Sequence, residues 1–201
     1  MNPPPFPVPR PVVTGATGFV GARVAALLGA PVTVRLGPPG WREAVAALDL
    51  AGETVIHLAA RVHAPGAPEA EFEAGNVART AELAQAAADA GAARFVFAST
   101  VKVFGEESGA RPFSDSDRAD PRDAYARSKW RAEQALAGIS RASGLPVVVL
   151  RIPFTYGPCA GGNFRALARL ADSDLCLPLG AFAHRRSPLP VHDLPGGIVA
   201  A

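Results

Sequence analysis

Apolar residues recur along the chain in two alternating rhythms. Runs at 11–13, 31–36, 53–58, 94–98 and 145–151 are rich in valine and isoleucine and apolar on both faces. Between them lie longer stretches with helical spacing: an Ala/Leu-rich run to residue 28, then 41–50, 69–90 and 123–143. Strands that bury both faces and alternate with helices predict an α/β fold, a doubly wound parallel (Rossmann) sheet with helices on both faces. After Pro158 the rhythm changes. Residues 163–171 read as helix, 175–179 as extended, and 191–201 as the start of a helix with Asp193 as N-cap and Pro195 in its first turn. Gly196 and Gly197 weaken that last helix. The predicted organisation is a proline-rich tail over 1–10, a dinucleotide-binding domain over 11–158, and a partial substrate-binding region over 159–201.

Two local patterns carry chemistry. Gly15, Gly18 and Gly21 form G-x-x-G-x-x-G between the first strand and the first helix. Glycines there permit a tight turn and let a pyrophosphate approach backbone N–H groups at a helix start. Tyr125 and Lys129 form a Y-x-x-x-K pair, one helical turn apart on one face. A fixed ammonium favours phenolate, so the expectation is that Lys129 lowers the Tyr125 pKa and makes it a general base near neutral pH.

Composition changes this picture little. The 201 residues carry a formal net charge of +2, which gives no reason to expect nucleic acid or an anionic membrane as partner. The longest apolar runs are too short to span a bilayer. The N-terminus lacks the basic start and apolar core of a secretory signal. Cys159 and Cys176 are the only cysteines, have no metal-ligand spacing, and suggest reduced thiols and a cytoplasmic location. His57, His63, His184 and His192 likewise show no metal-ligand spacing, and no metal site is expected.

The ordered motifs resemble those of the extended short-chain dehydrogenase/reductases, most of all the NAD-dependent epimerase/dehydratase branch. Thr14-Gly15-Ala16-Thr17-Gly18-Phe19-Val20-Gly21 is similar to its T-G-x-x-G-x-x-G signature, and His57-Leu58-Ala59-Ala60 to the segment passing the adenosine side of the cofactor. Asn76-Val77-Ala78-Arg79-Thr80 resembles N-V-x-G-T with arginine for glycine. Ser99-Thr100-Val101-Lys102-Val103-Phe104-Gly105 and Arg151-Ile152-Pro153-Phe154-Thr155-Tyr156-Gly157-Pro158 resemble two further family segments. The resemblance implies Thr100, Tyr125 and Lys129 as the catalytic set, with Thr100 at the family spacing of 25 residues before Tyr125. It implies cofactor contacts from Gly15, Thr17, Gly18, Phe19, Val20 and Gly21, from Arg35, Leu58, Ala59 and Ala60, and from Asn76, Ser99, Tyr125, Lys129 and Pro153. Substrate contacts would come from Thr100, Asn163 and Arg186. Asn76 is favoured as structural support.

Two departures stand out. Arg35 replaces the acidic residue that ends the second strand in NAD-binding members, so NAD or NADP stays open. Members of the family also run beyond the point where this chain ends, which suggests a truncated member with an open sheet edge and an uncovered apolar face. The leading expectation is an NAD(P)-dependent epimerase/dehydratase-like enzyme acting on a nucleotide sugar of UDP-hexose type. The alternatives are an NADPH-dependent carbonyl reductase of the same superfamily and a non-catalytic dinucleotide-binding protein. Pairing of family members through their long helices implies a possible homodimer.

Overall fold

Valine, isoleucine and phenylalanine in the strand runs can leave water on both faces only if helices cover both, and the chain does this. The computed structural model describes residues 10–62, 66–109, 111–172 and 187–201. Residues 1–9 of the proline-rich tail, the extended run at 175–179 and Arg186 lie outside them. Five parallel strands, β1 (Val12–Thr14), β2 (Val32–Val34), β3 (Thr54–His57), β4 (Arg94–Thr100) and β5 (Val147–Ile152), form one sheet in the order β2-β1-β3-β4-β5. The register aligns Val13 with Thr33 on one side and with Ile56 on the other, then Ile56 with Val96 and Phe97 with Val149.

Alternation along each strand divides the core. Val12, Val55, Phe95 and Phe97 face one side, packed with Trp41 and Val45 of α2 (Trp41–Ala46), Leu83 and Ala87 of α4 (Arg79–Asp89), and Leu136 of α5 (Ala124–Ser143). Val13, Ile56 and Val96 face the other, packed with Val24 of α1 (Gly21–Leu28) and with Leu194 and Ile198 of α7 (Leu194–Ala200). A two-stranded sheet joins β6 (Thr155–Tyr156) to β7 (Leu189–Pro190). β5 is the outer strand of the main sheet, and all six of its residues are half-buried. Among the described residues no helix is long and apolar enough to cross a membrane.

Several expectations are corrected. The helix expected over 69–90 is α3 (Glu69–Phe72), a π-helical turn (Glu73–Ala78) and α4 in succession. A π turn inserts one residue into the helical ladder, and here it holds Asn76, whose amide is spent outside the helix. β2 is shorter than expected because its one ladder partner, β1, has only three residues. α2 ends at Ala46 rather than Leu50. Asp193 stands at the start of α7 but makes no capping hydrogen bond; its carboxylate lies 3.4 Å from His192 Nε2. α7 forms despite its glycine pair because Leu194 and Ile198 are buried against the sheet, so packing overrides weak propensity. β6, β7, α6 (Gly162–Ala171, matching the expected 163–171 helix) and the 3₁₀ turn Val101–Phe104 are the remaining elements among the described residues.

Candidate functional site

The sheet order reverses direction at β1. The connection through α1 leads outward to β2, and the next strand, β3, returns to the other side of β1. Open α/β sheets bind ligands at such a switch, beyond the carboxyl ends of the strands. The glycine turn stands at that position. Gly15 has φ +73°, and a Cβ on it would lie 2.6 Å from the backbone nitrogen of Ala59. A Cβ on Gly21 would lie 2.0 Å from Gly15 O. Glycine is thus required where the turn crosses the Leu58–Ala60 segment and where α1 begins. Gly18 N donates to Gly15 O at 2.9 Å, closing the turn. No side chain caps α1 and no acidic residue occupies its first turn, while Thr17 and Gly18 are exposed. This cradle fits a pyrophosphate on both steric and electrostatic grounds.

Arg23 braces the turn. It donates to Phe19 O at 2.5 Å and to Pro158 O at 2.6 Å, and its Cζ lies 4.8 Å from the Phe19 ring centroid. The turn after β6 is thereby tied to the glycine turn. Sequence reasoning passed over Arg23, which reads as one cation in an apolar helix.

Beneath the turn lies a buried polar chain. Thr80 donates its one hydroxyl proton to Asn76 O at 2.6 Å. His57 Nε2 must therefore donate to Thr80, at 2.9 Å, and the neutral ring's Nδ1 accepts from Thr14 at 2.6 Å. Burial pushes the His57 pKa down to about 3, with the Lys129 charge adding. His57 is a packed, neutral link between β1, β3 and α4.

Asn76 acts as a clamp. Its Oδ1 accepts from Arg61 N at 2.7 Å, and its Nδ2 donates to Arg61 O at 3.0 Å and to Ser128 Oγ at 2.9 Å. This is the support role expected of it, and its amide is fully engaged within the protein. Ser128, which no sequence signal marks, donates in turn to Tyr125 O at 2.7 Å.

Two cross-links set the ends of β4 and α5 together. Lys102, two residues after Thr100, pairs with Asp123, two residues before Tyr125. Asp123 also caps α5 by accepting from Ala126 N at 2.6 Å. Deeper in, Lys129 Nζ lies 3.8 Å from the centroid of Phe97, three residues before Thr100. Along the chain, Thr100 lies between Phe97 and Lys102, and Tyr125 between Asp123 and Lys129. Thr100 Oγ1 accepts from Lys102 N at 3.3 Å, so its hydroxyl also serves the local backbone. Ser99 points to the opposite side of β4 and donates to Glu133.

The charge states differ from the sequence expectation. Burial, aided by the Asp123 carboxylate, pushes Tyr125 up to about 12. Lys129 does not lower it. Burial pushes Lys129 itself down to about 7, opposed by Glu133, and the face of the Phe97 ring lies against its ammonium. Arg35 is exposed just past β2, Pro153 is half-buried at the end of β5, and Asn163 lies on α6. The structure thus ties the helix of Tyr125 and Lys129 to β4, the strand that ends at Thr100, and links Asn76 to that helix through Ser128.

Known proteins share this framework. UDP-glucose 4-epimerase of Vibrio cholerae is 37% identical over 146 residues, spanning 70% of this chain and 44% of that protein. dTDP-4-dehydrorhamnose reductase of Mycobacterium tuberculosis is 38% identical over 124 residues, spanning 59% of this chain and 39% of that one. The chain therefore spans less than half the length of either curated relative. Among solved structures, dTDP-glucose 4,6-dehydratase DesIV from Streptomyces venezuelae, with NAD bound, superposes with a TM-score of 0.77 at 26% identity over 94% of this chain and 70% of that chain. RMD from Pseudomonas aeruginosa, complexed with NADPH, superposes with a TM-score of 0.71 at 26% identity over 92% and 70%. The NAD dependent epimerase/dehydratase family matches residues 40–199, most of the sequence, and the chain belongs to that family.

Proposed function

We propose that this chain binds NAD or NADP and acts on a nucleotide sugar of UDP-hexose type by reversible hydride transfer, with Tyr125 as acid/base. The observation that carries the reading is the pair of ties, Lys102–Asp123 and Phe97–Lys129, that hold the helix of Tyr125 and Lys129 against the strand ending at Thr100, in a sheet whose first turn only glycine can form. The names of the relatives support the same chemistry.

The dinucleotide would supply a hydride acceptor and donor. The residues of this chain would do the rest. Gly15, Gly18 and Gly21 would admit the pyrophosphate. Tyr125 Oη would take the proton of the sugar hydroxyl during oxidation and return it during reduction, while Thr100 Oγ1 holds the reacting oxygen. At about 12, the Tyr125 phenol keeps its proton in the free protein and is poised as the acid. Its use as a base requires a nearby cation. Lys129 does not act so in the free protein and would have to become that cation when cofactor and substrate bind, with Glu133 favouring its protonated form. Residues 11–158 would form the cofactor part. Residues 159–201, with Asn163 and Arg186, would contribute to the substrate side.

The test is to identify any nucleotide released on denaturation and then to assay interconversion of UDP-glucose and UDP-galactose. Interconversion without net nicotinamide turnover is expected, and Tyr125→Phe should abolish it while dinucleotide affinity persists. Net consumption of NADPH with a carbonyl substrate would point to a reductase instead. Absence of any dinucleotide binding would end the reading.

A further inference from the structure

In dinucleotide-binding folds an acidic side chain near the end of the second strand holds the ribose hydroxyls of NAD, whereas an arginine nearby accommodates the extra phosphate of NADP. Here the arginine comes from an unexpected element. Arg79 Nη1 lies 2.9 Å, and its Cζ 3.2 Å, from where a Cβ on Gly37 would stand. Gly37 has φ +119° and lies three residues beyond Val34, the last residue of β2. It leaves the space that the guanidinium fills. The π-helical turn ends at Ala78, so its inserted residue sets the direction in which Arg79 leaves the helix.

Arg79 borders a recess of about 400 Å³ together with Leu36, Ala59, Ala60 and Gly75. It also borders a second recess of about 390 Å³ against Gly37 and Trp41. The other ions of these walls are largely neutralised. Arg61 pairs with Glu71, and Arg42 binds Glu82 through two hydrogen bonds of 2.5 and 2.9 Å. Glu43 is the remaining carboxylate of the second recess, and its charge acts on Arg42. Arg79 is half-buried and, among the described residues, makes no ion pair. Arg35, directly after β2, adds a second positive charge and no acidic residue stands there. A guanidinium fork held at a recess without a counter-ion suits phosphate oxygens better than ribose hydroxyls.

We infer that Arg79, assisted by Arg35, forms a site for the 2′-phosphate of an adenine dinucleotide, so that the chain selects NADP over NAD. The inference rests on the dinucleotide-binding reading above. Equilibrium titration calorimetry of the full chain with NADP⁺, NAD⁺, 2′,5′-ADP and 5′-AMP tests it without any turnover assay. NADP⁺ should bind more tightly than NAD⁺, and 2′,5′-ADP more tightly than 5′-AMP, by roughly tenfold or more. Arg79→Ala should remove most of that gap while leaving NAD⁺ affinity nearly unchanged. Arg79→Lys, which keeps the charge without the fork, should retain part of it, and thermal melts would establish that both variants fold. Equal or tighter binding of NAD⁺, or an equal loss of both dinucleotides in Arg79→Ala, would overturn the inference yet leave dinucleotide binding standing. Failure of all four probes to bind would overturn both.

Discussion

Arg151 on β5 grips Glu133 on α5 through two nitrogens: Nη2 donates to Oε2 at 2.7 Å, and Nε reaches Oε1 and Oε2 at 3.3 and 3.2 Å. Glu133 is buried, and Ser99 on β4 donates to it as well. The Arg151 guanidinium also covers the Phe104 ring, with Cζ 4.5 Å from its centroid. One carboxylate therefore ties together two strands and the helix that bears Tyr125 and Lys129. Removing one partner of a buried pair leaves the other charge uncompensated, so Glu133→Ala should destabilise by about 3–5 kcal/mol. Urea unfolding of Glu133→Ala and of the double variant Glu133→Leu/Arg151→Met checks this. The double variant should recover much of the loss, and a small effect of the single variant would mean the pair is screened by solvent.

Stability should rise with pH in two windows and fall in a third. The His57 pKa is about 3 in the folded chain against 6.5 when free, so the unfolded state binds the extra proton between those values and stability climbs across them. Lys129, at about 7 against 10.5, produces a second rise from about pH 7 to 10.5 by the same sign. Tyr125 behaves oppositely: its folded pKa of about 12 exceeds the free 10.0, so its contribution is lost as pH rises from 10 to 12. Urea midpoints measured across pH for the parent and Lys129→Met would reveal this. Lys129→Met should be more stable at pH 7 and below and should lack the second rise; an unchanged slope would refute the burial argument.

The glycine turn should tolerate methyl groups unequally. A Cβ at Gly21 meets the Gly15 carbonyl oxygen at 2.0 Å, whereas one at Gly18 meets the same atom at 3.2 Å. Gly21→Ala should cost at least the roughly 1–3 kcal/mol typical of overpacking, because the obstacle is backbone and cannot rotate away. Gly18→Ala should cost less in stability. Thermal unfolding ranks the two, and equal effects would show that the turn relaxes freely.

Asn76 should control the order of the Arg61 backbone. Asn76→Ala removes three hydrogen bonds, two to the part-buried Arg61 backbone and one to the buried Ser128 hydroxyl, for a loss of about 1–3 kcal/mol. Hydrogen exchange at the Arg61 amide is the specific readout. That amide should lose protection in Asn76→Ala, while amides in β3 keep theirs.

Much of the fold was legible in local pattern. Runs such as Val147-Val148-Val149-Leu150 are apolar at every position, and only a strand covered on both faces can use them; the parallel sheet does so by turning Val147 and Val149 to one layer and Val148 and Leu150 to the other. The helix of Tyr125 and Lys129 was equally legible, because Asp123 caps it and a four-residue step needs only helical geometry. The glycine turn was legible from three residues and their place after the first strand.

The layers, the glycine turn and the helix face of the Tyr125–Lys129 pair thus follow from local pattern, since each depends on residues near one another in the chain. Tertiary structure alone decided their chemical state. Lys129 is lowered and Tyr125 raised by burial that no spacing reveals, and the ring that meets the Lys129 ammonium, Phe97, comes from a strand distant in the chain. The Asn76 clamp joins residues 52 positions apart, and the Thr14–His57 bond spans 43. Arg79, which follows a π turn, meets Gly37 from a distant part of the chain. Desolvation and pairing depend on what distant segments bring into contact, and local periodicity carries no record of that.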